Sequence, residues 1–128
     1  MLSSLSPLSI QRGIGAVFLI LGGWAMLLPG SVIDLCFRPE FHGEGRIAAF
    51  TIACFGAQAV LGGLFACFSR FTRTTFLVFG LALIPFFAFD LWFTFGDPVL
   101  TVFGGVMDAI GNIIMLALCV LGYKRASS

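Results

Sequence analysis

The sequence predicts an all-α integral membrane protein, a single-domain four-helix up-and-down bundle over residues 1–128. Of these residues, 59% are hydrophobic and 10% are charged, and the mean hydropathy is +1.09. A soluble domain has about 25% charged residues, so this chain has too few polar groups to cover a water-facing surface. Four apolar segments each reach the roughly 20 residues that a helix needs to cross a bilayer. The connections between them are short, which favours antiparallel neighbours.

The predicted spans cover residues 13–33, 47–68, 76–95 and 99–123. The first is too long for the apolar part of a secretory signal and lacks a small-residue cleavage motif, so we expect it to be retained. Pro29 and Gly30 fall near its end and are expected to bend or end the helix.

Charged residues predict how the bundle is oriented. One side of the predicted bundle receives five basic residues and no acidic one: Arg12, Arg70, Arg73, Lys124 and Arg125. The other side receives two basic residues among acidic ones: Asp34, Arg38, Glu40, Glu44, Arg46 and Asp97, together with His42. Because Lys and Arg accumulate in cytoplasmic loops, both termini are expected to be cytoplasmic.

Several classes of function are disfavoured. The net charge is +1 and no basic cluster alternates with aromatic residues, so a nucleic-acid partner is not predicted. The four cysteines lack metal or redox spacing, and the sequence indicates no particular cofactor. Glu40, His42 and Glu44 alternate beside glycines, which favours a solvated loop over a metal site. No nucleophile motif or phosphate-binding loop is present, so soluble-type catalysis is not predicted.

Two segments of the chain match each other. Residues 27–37, LLPGSVIDLCF, and 83–93, LIPFFAFDLWF, share the pattern L-x-P-x-x-x-x-D-L-x-F. The match raises the hypothesis that the bundle is a duplicated helical hairpin with an axis along the membrane normal. The second helices of the two hairpins match poorly, and chance agreement between Leu- and Phe-rich segments is the competing explanation.

Polar residues inside the predicted spans are the candidate ligand- or ion-binding residues: Asp108, Asn112, Gln58, Asp90 and Thr51. At about 1.5 Å per residue, Asp90 lies roughly 8 Å from the non-cytoplasmic end of its span and Asp108 roughly 15 Å from that of its own. Two polar layers are therefore predicted. Thr51 is expected beside Asp90, and Gln58 beside Asp108, with Asn112 one turn deeper.

Asp108 needs a partner because an ionised carboxylate in the bilayer core is costly. The favoured interpretation is a neutral Asp108 that is hydrogen-bonded to Gln58 and holds two helices together. The alternatives are a polar pocket for a ligand, cation or proton, and a salt bridge to a basic residue of a partner subunit.

The overall plan resembles small bacterial four-helix membrane proteins of the DoxX-like kind. The likeness lies in a first helix that opens with Gly13 and Gly15 and closes near a proline, and in the segment GAQAVLGGLF of the second helix. Gln58 stands near the place where that family often has a glutamate. The resemblance implies a small subunit or redox-associated helper of the bacterial inner membrane.

Two functions follow as hypotheses, while a membrane enzyme is disfavoured because only Asp108 with Asn112 could begin to supply its acid and base. The first is a binding or accessory module, which joins a larger membrane complex or holds a lipid-like ligand. The second is an oligomeric proton- or cation-coupled transporter or channel that uses Asp90 and Asp108. In both hypotheses the protein lies in the lipid bilayer, and we expect its functional form to be a homo-oligomer or part of a larger membrane complex.

Overall fold

The computed structural model describes residues 5–43 and 46–127. Five α-helices follow one another along the chain: α1 (Pro7–Leu27), α2 (Pro29–Cys36), α3 (Arg46–Phe68), α4 (Arg73–Leu91) and α5 (Val102–Arg125). A 3-10 turn, Pro39–Phe41, follows α2, and a π-helical turn, Trp92–Gly96, extends α4. Glu44, one of the alternating loop residues, lies outside the described residues.

Four of these helices are long and apolar enough to cross a membrane: α1, α3, α4 with its π-helical turn, and α5. The predicted all-α bundle is therefore confirmed, and its architecture is that of a multi-pass integral membrane protein. The bounds predicted for the first span are wrong, since α1 begins at Pro7 and ends at Leu27. The Ser6 hydroxyl accepts a hydrogen bond from the backbone N–H of Ser9 and caps the helix there.

The expected break at Pro29 is confirmed. Pro29 is the first residue of α2 and cannot donate a backbone hydrogen bond into α1. Pro85, its partner in the sequence match, lies inside α4, which continues past it to Leu91. The two matched segments therefore have different local structures, and the duplication remains a hypothesis.

The contact between α1 and α3 is built from glycines. Gly15 and Gly22 of α1 face Gly63 and Gly56 of α3. A Cβ atom at Gly22 would lie 2.9 Å from the carbonyl oxygen of Gly56, and one at Gly15 would lie 2.8 Å from that of Gly63. Glycine therefore allows a backbone approach that any side chain would prevent.

Helix α1 also packs against α5, and α5 packs against α4. The core where these helices meet contains Ile10, Ile14, Phe76, Leu83, Met115 and Cys119. Helix α3 packs against α1 and α2, but among the described residues it makes no extensive contact with α4 or α5. A gap therefore separates α3 from the α4–α5 pair.

Contacts between segments distant in sequence connect the helices at each end of the bundle. At the end that carries both termini, Arg125 donates a hydrogen bond to the carbonyl of Leu5, and the Arg73 guanidinium lies 4.3 Å from the centre of the Tyr123 ring. At the opposite end, the residues after α2 pair with those before α5 through an isolated bridge between Phe37 and Leu100.

Candidate polar site

Asp90 and Asp108 lie on different helices and share one hydrogen-bond donor. The side-chain nitrogen Nδ2 of Asn112 lies 3.2 Å from Oδ2 of Asp90 and 3.2 Å from Oδ2 of Asp108. Asn112 and Asp90 are buried, whereas Asp108 is exposed at the surface of the bundle. We call these three residues the polar triad.

The structure corrects the depths predicted for the two carboxylates. Asp90 precedes the end of the π-helical turn by six residues and Asp108 follows the start of α5 by six, so both lie roughly 9 Å inside their helix ends. They form one polar layer and not two. The predicted depth of Asp108 was too large because α5 begins at Val102, three residues after the start of the predicted span.

The predicted pairing of Gln58 with Asp108 is wrong. Gln58 is exposed on α3, and within the described residues no hydrogen bond involves its side chain. The amide that serves Asp108 belongs to Asn112, one helical turn away on the same helix. Equal depth did not bring Gln58 to Asp108, because α3 does not pack against α5.

The predicted pairing of Thr51 with Asp90 is also wrong. Thr51 donates a hydrogen bond of 2.9 Å to the carbonyl of Ile47 in its own helix. It lines a cavity whose wall includes Asp108 but not Asp90.

Two cavities meet at Asp108. The larger, of about 410 Å³, lies between α1, α2, α3 and α5, and the smaller, of about 210 Å³, lies between α1, α3, α4 and α5. Leu21, Phe55 and Asp108 belong to both walls. The walls are otherwise almost entirely apolar or aromatic, and the described residues that line them include no Lys, Arg or His. The gap between α3 and the α4–α5 pair is therefore an apolar groove with a carboxylate in its wall.

Sequence reasoning missed Thr94. Its side chain is buried under Gly105, and its hydroxyl oxygen has no hydrogen-bond partner. Asp90 and Thr94 line a third cavity, of about 280 Å³, between the π-helical turn and α5. The sequence did carry a signal for Thr94: it is a hydroxyl residue four positions after Asp90, within the same aromatic run. A π-helical turn of this kind often occurs near a functional site.

Cys36 at the end of α2 lies on the other side of Asp108. Partial burial and, to a smaller degree, the Asp108 carboxylate raise the pKa of the Cys36 thiol. Cys36 therefore stays a neutral thiol at physiological pH and supplies no negative charge to the groove.

The side chains around the triad do not form a metal site among the described residues. Within residues 5–43 and 46–127, no group of three or more His, Cys, Asp or Glu side chains is arranged to hold a metal ion.

Comparison with models of known protein families, with curated proteins and with solved structures gives no significant match. The fold and the triad describe a small multi-pass membrane protein with two neighbouring carboxyl groups, one of them in the wall of an apolar groove.

Proposed function

We propose that the protein is a small membrane binding protein that holds a lipid-like molecule with a positively charged or hydrogen-bond-donating head group. One observation carries the proposal: Asp108 stands where two apolar cavities meet. An apolar pocket with a few convergent polar groups is the usual form of a ligand site. The ligand's apolar part would occupy the groove, and its head group would contact Asp108.

The charge of the triad supports a cationic head group. If both carboxylates were ionised, they would repel each other and would be poorly solvated in a lipid environment. A positive charge in the groove would offset both effects, and the residues that line it supply none. The missing charge is therefore expected to come from the ligand.

Access to the groove is also favourable. Because α3 makes no extensive contact with α4 or α5 among the described residues, an amphiphile can enter sideways from the bilayer. The role proposed here is binding, as a ligand carrier or as a subunit that presents its ligand to a larger complex.

Binding to the purified protein in lipid nanodiscs tests the proposal. The probes are a long-chain alkylammonium and its uncharged N-acetyl analogue of the same chain length. We expect the cation to bind more tightly, and Asp108→Asn to weaken its binding by about tenfold, or about 1.4 kcal/mol. Asp97→Asn is the matched control, because Asp97 is exposed and outside both cavities. Equal affinity for the two probes in the wild-type protein would refute the cationic head group.

A second pair of variants tests the groove. Ala82 lines the smaller cavity, and its neighbour Leu81 does not. Ala82→Phe should therefore weaken binding of both probes, since the added ring occupies the space of the alkyl chain. Leu81→Phe should leave binding unchanged. If both substitutions have the same effect, the ligand lies elsewhere.

A proton- or cation-coupled transporter is the second candidate, and the shared amide of Asn112 favours it. A pair of neighbouring carboxylates readily exchanges one proton for one cation. This candidate requires net movement of the alkylammonium probe across sealed proteoliposomes when a pH gradient is imposed. Probe binding without gradient-driven uptake would rule out the transporter, and binding would remain as the proposed function.

A further inference from the structure

Gln58 faces away from the bundle. On α3 the buried residues are Gly56, Gly63 and Ala66, and the glycines contact α1. Successive residues of an α-helix are about 100° apart, so Gln58 points roughly opposite to Gly56. The side chain is exposed, and it has no hydrogen-bond partner among the described residues.

The position of Gln58 makes this exposure unfavourable in a lone chain. Gln58 lies 12 residues from the start of α3 and 10 from its end, which places it near the middle of the bilayer. A side-chain amide there has two N–H donors and a carbonyl acceptor but no water to bind. Its hydrogen bonds must come from another molecule.

The rest of α3 also lacks a partner on this side. In its most apolar stretch 11% of the residues are buried, compared with 33% for α1 and α5. Cys54 and Gly62 flank Gln58 at four-residue steps and share its face. Both are exposed, and a Cβ atom at Gly62 would meet nothing within 4 Å. A second helix can therefore approach closely along this line.

We propose that the face of α3 marked by Cys54, Gln58 and Gly62 binds the same face of a second copy of this chain. Copies inserted in the same orientation are related by a two-fold axis along the membrane normal, so each residue on the axis meets its own equivalent. An amide is self-complementary, because each Gln58 can donate to the carbonyl of the other and accept from its N–H. Thr51, seven residues earlier and on nearly the same face, already donates its hydroxyl to the carbonyl of Ile47.

Gln58, at the centre of this contact, lies outside the proposed ligand site, and of the groove residues of α3 Thr51 is on nearly the same face. The groove uses Thr51, Ile52, Phe55 and Ala59 of α3, and Gln58 lines neither of its cavities. Loss of the dimer and loss of ligand binding can therefore be observed separately.

Disulfide crosslinking in native membranes tests the contact directly. The test protein keeps Cys54 and carries Ala in place of Cys36, Cys67 and Cys119. Mild oxidation should give a covalent dimer of twice the chain mass, since each Cys54 would lie beside its equivalent. The matched control removes Cys54 and carries Ile84→Cys, because Ile84 is exposed near the middle of α4. A Cys54 yield no higher than that of the control, or a product of any other mass, would overturn the proposal.

Variants at Gln58 distinguish crosslinking that depends on its hydrogen bonds from crosslinking by chance collisions. At a low protein-to-lipid ratio, Gln58→Leu should reduce the Cys54 crosslink about fivefold to tenfold, as expected for the loss of two interhelical hydrogen bonds. Gln58→Asn keeps the amide and should restore part of the yield. Unfolding of each variant by sodium dodecyl sulfate in mixed micelles, followed by circular dichroism, serves as the check that it is folded. Crosslinking that is equally strong in the folded Leu variant would show that Gln58 does not hold two copies together.

Discussion

Asp90 of α4 and Asp108 of α5 both accept a hydrogen bond from the side-chain amide of Asn112. The arrangement is asymmetric, because Asp90 is buried against α5 while Asp108 faces the groove. One carboxylate thus belongs to the helix contact, and the other is available to a ligand. The amide links the two, so a charge placed at Asp108 will also affect Asp90.

Asn112→Ala tests the contribution of this link to stability. The substitution leaves a buried carboxylate without its donor, so we expect the free energy of unfolding to fall by about 1–3 kcal/mol. Its neighbour Ile113 is exposed to lipid, and Ile113→Ala should cost far less. Unfolding by sodium dodecyl sulfate in mixed micelles, followed by circular dichroism, gives both values. Equal losses would mean that the amide does not hold α4 to α5.

Gly56 and Gly62 offer a matched comparison on α3. A Cβ atom at Gly56 would clash with the backbone nitrogen of Met26 and lie 2.6 Å from the carbonyl oxygen of Gly22, and backbone atoms cannot move aside cheaply. Gly56→Ala should therefore destabilise the monomer by about 1–3 kcal/mol. Gly62→Ala should be neutral or stabilise it by up to about 1 kcal/mol, through helix propensity. The same unfolding assay, at protein concentrations where the chain is monomeric, measures the change in stability for each variant. Similar effects at the two glycines would contradict the α1–α3 packing.

Composition and span length were enough to predict the fold. A chain with 10% charged residues has few alternatives to a membrane bundle, and Pro29 correctly marks the break between α1 and α2. The start of α1 was missed because Ser6 and Pro7 act through local capping, which extends the helix beyond the apolar run. The gap beside α3 was not predictable, since span length says nothing about which helices are neighbours.

The candidate site was predicted in part. Asp90, Asp108 and Asn112 stood out as polar residues in apolar segments, and the structure brings all three together. Their pairing was mispredicted because a three-residue error at a helix end moves a side chain by about 4.5 Å along the helix. Thr51 and Gln58 were assigned to layers by depth alone. Lateral packing, which depends on glycines at particular faces, decides the contacts instead.

The orientation of the bundle is a further prediction. We propose that the end carrying the five basic residues is cytoplasmic, because Lys and Arg are retained on that side. In a cysteine-free background, Thr74→Cys should be protected from an impermeant thiol reagent in intact cells, and Glu40→Cys should be labelled. Both positions are exposed at the bundle ends. Labelling after cell lysis controls for reactivity, and the opposite pattern in intact cells would reverse the orientation.

Gln11 is expected to be a principal stabilising residue at the cytoplasmic end proposed here. Its side chain is buried and donates hydrogen bonds of 2.7 Å to the carbonyls of Ala66 and Ser69, while its oxygen accepts one of 2.9 Å from the N–H of Phe71. Gln11 therefore ties α1 to the end of α3 and to the loop before α4.

Gln11→Leu leaves these backbone groups without partners in a buried place, and we expect the free energy of unfolding to fall by about 1–3 kcal/mol. Gln58→Leu makes the same chemical change at an exposed position and should not destabilise the monomer in detergent. The two variants are compared by unfolding in mixed micelles, at concentrations where the chain is monomeric. Hydrogen bonds in membrane proteins average only about 0.6 kcal/mol. A loss of stability at Gln11 well above that value would show that most of the loss comes from burying unpaired backbone groups. A loss no greater than that of Gln58→Leu would show instead that α1 is held to α3 by its glycine contact alone.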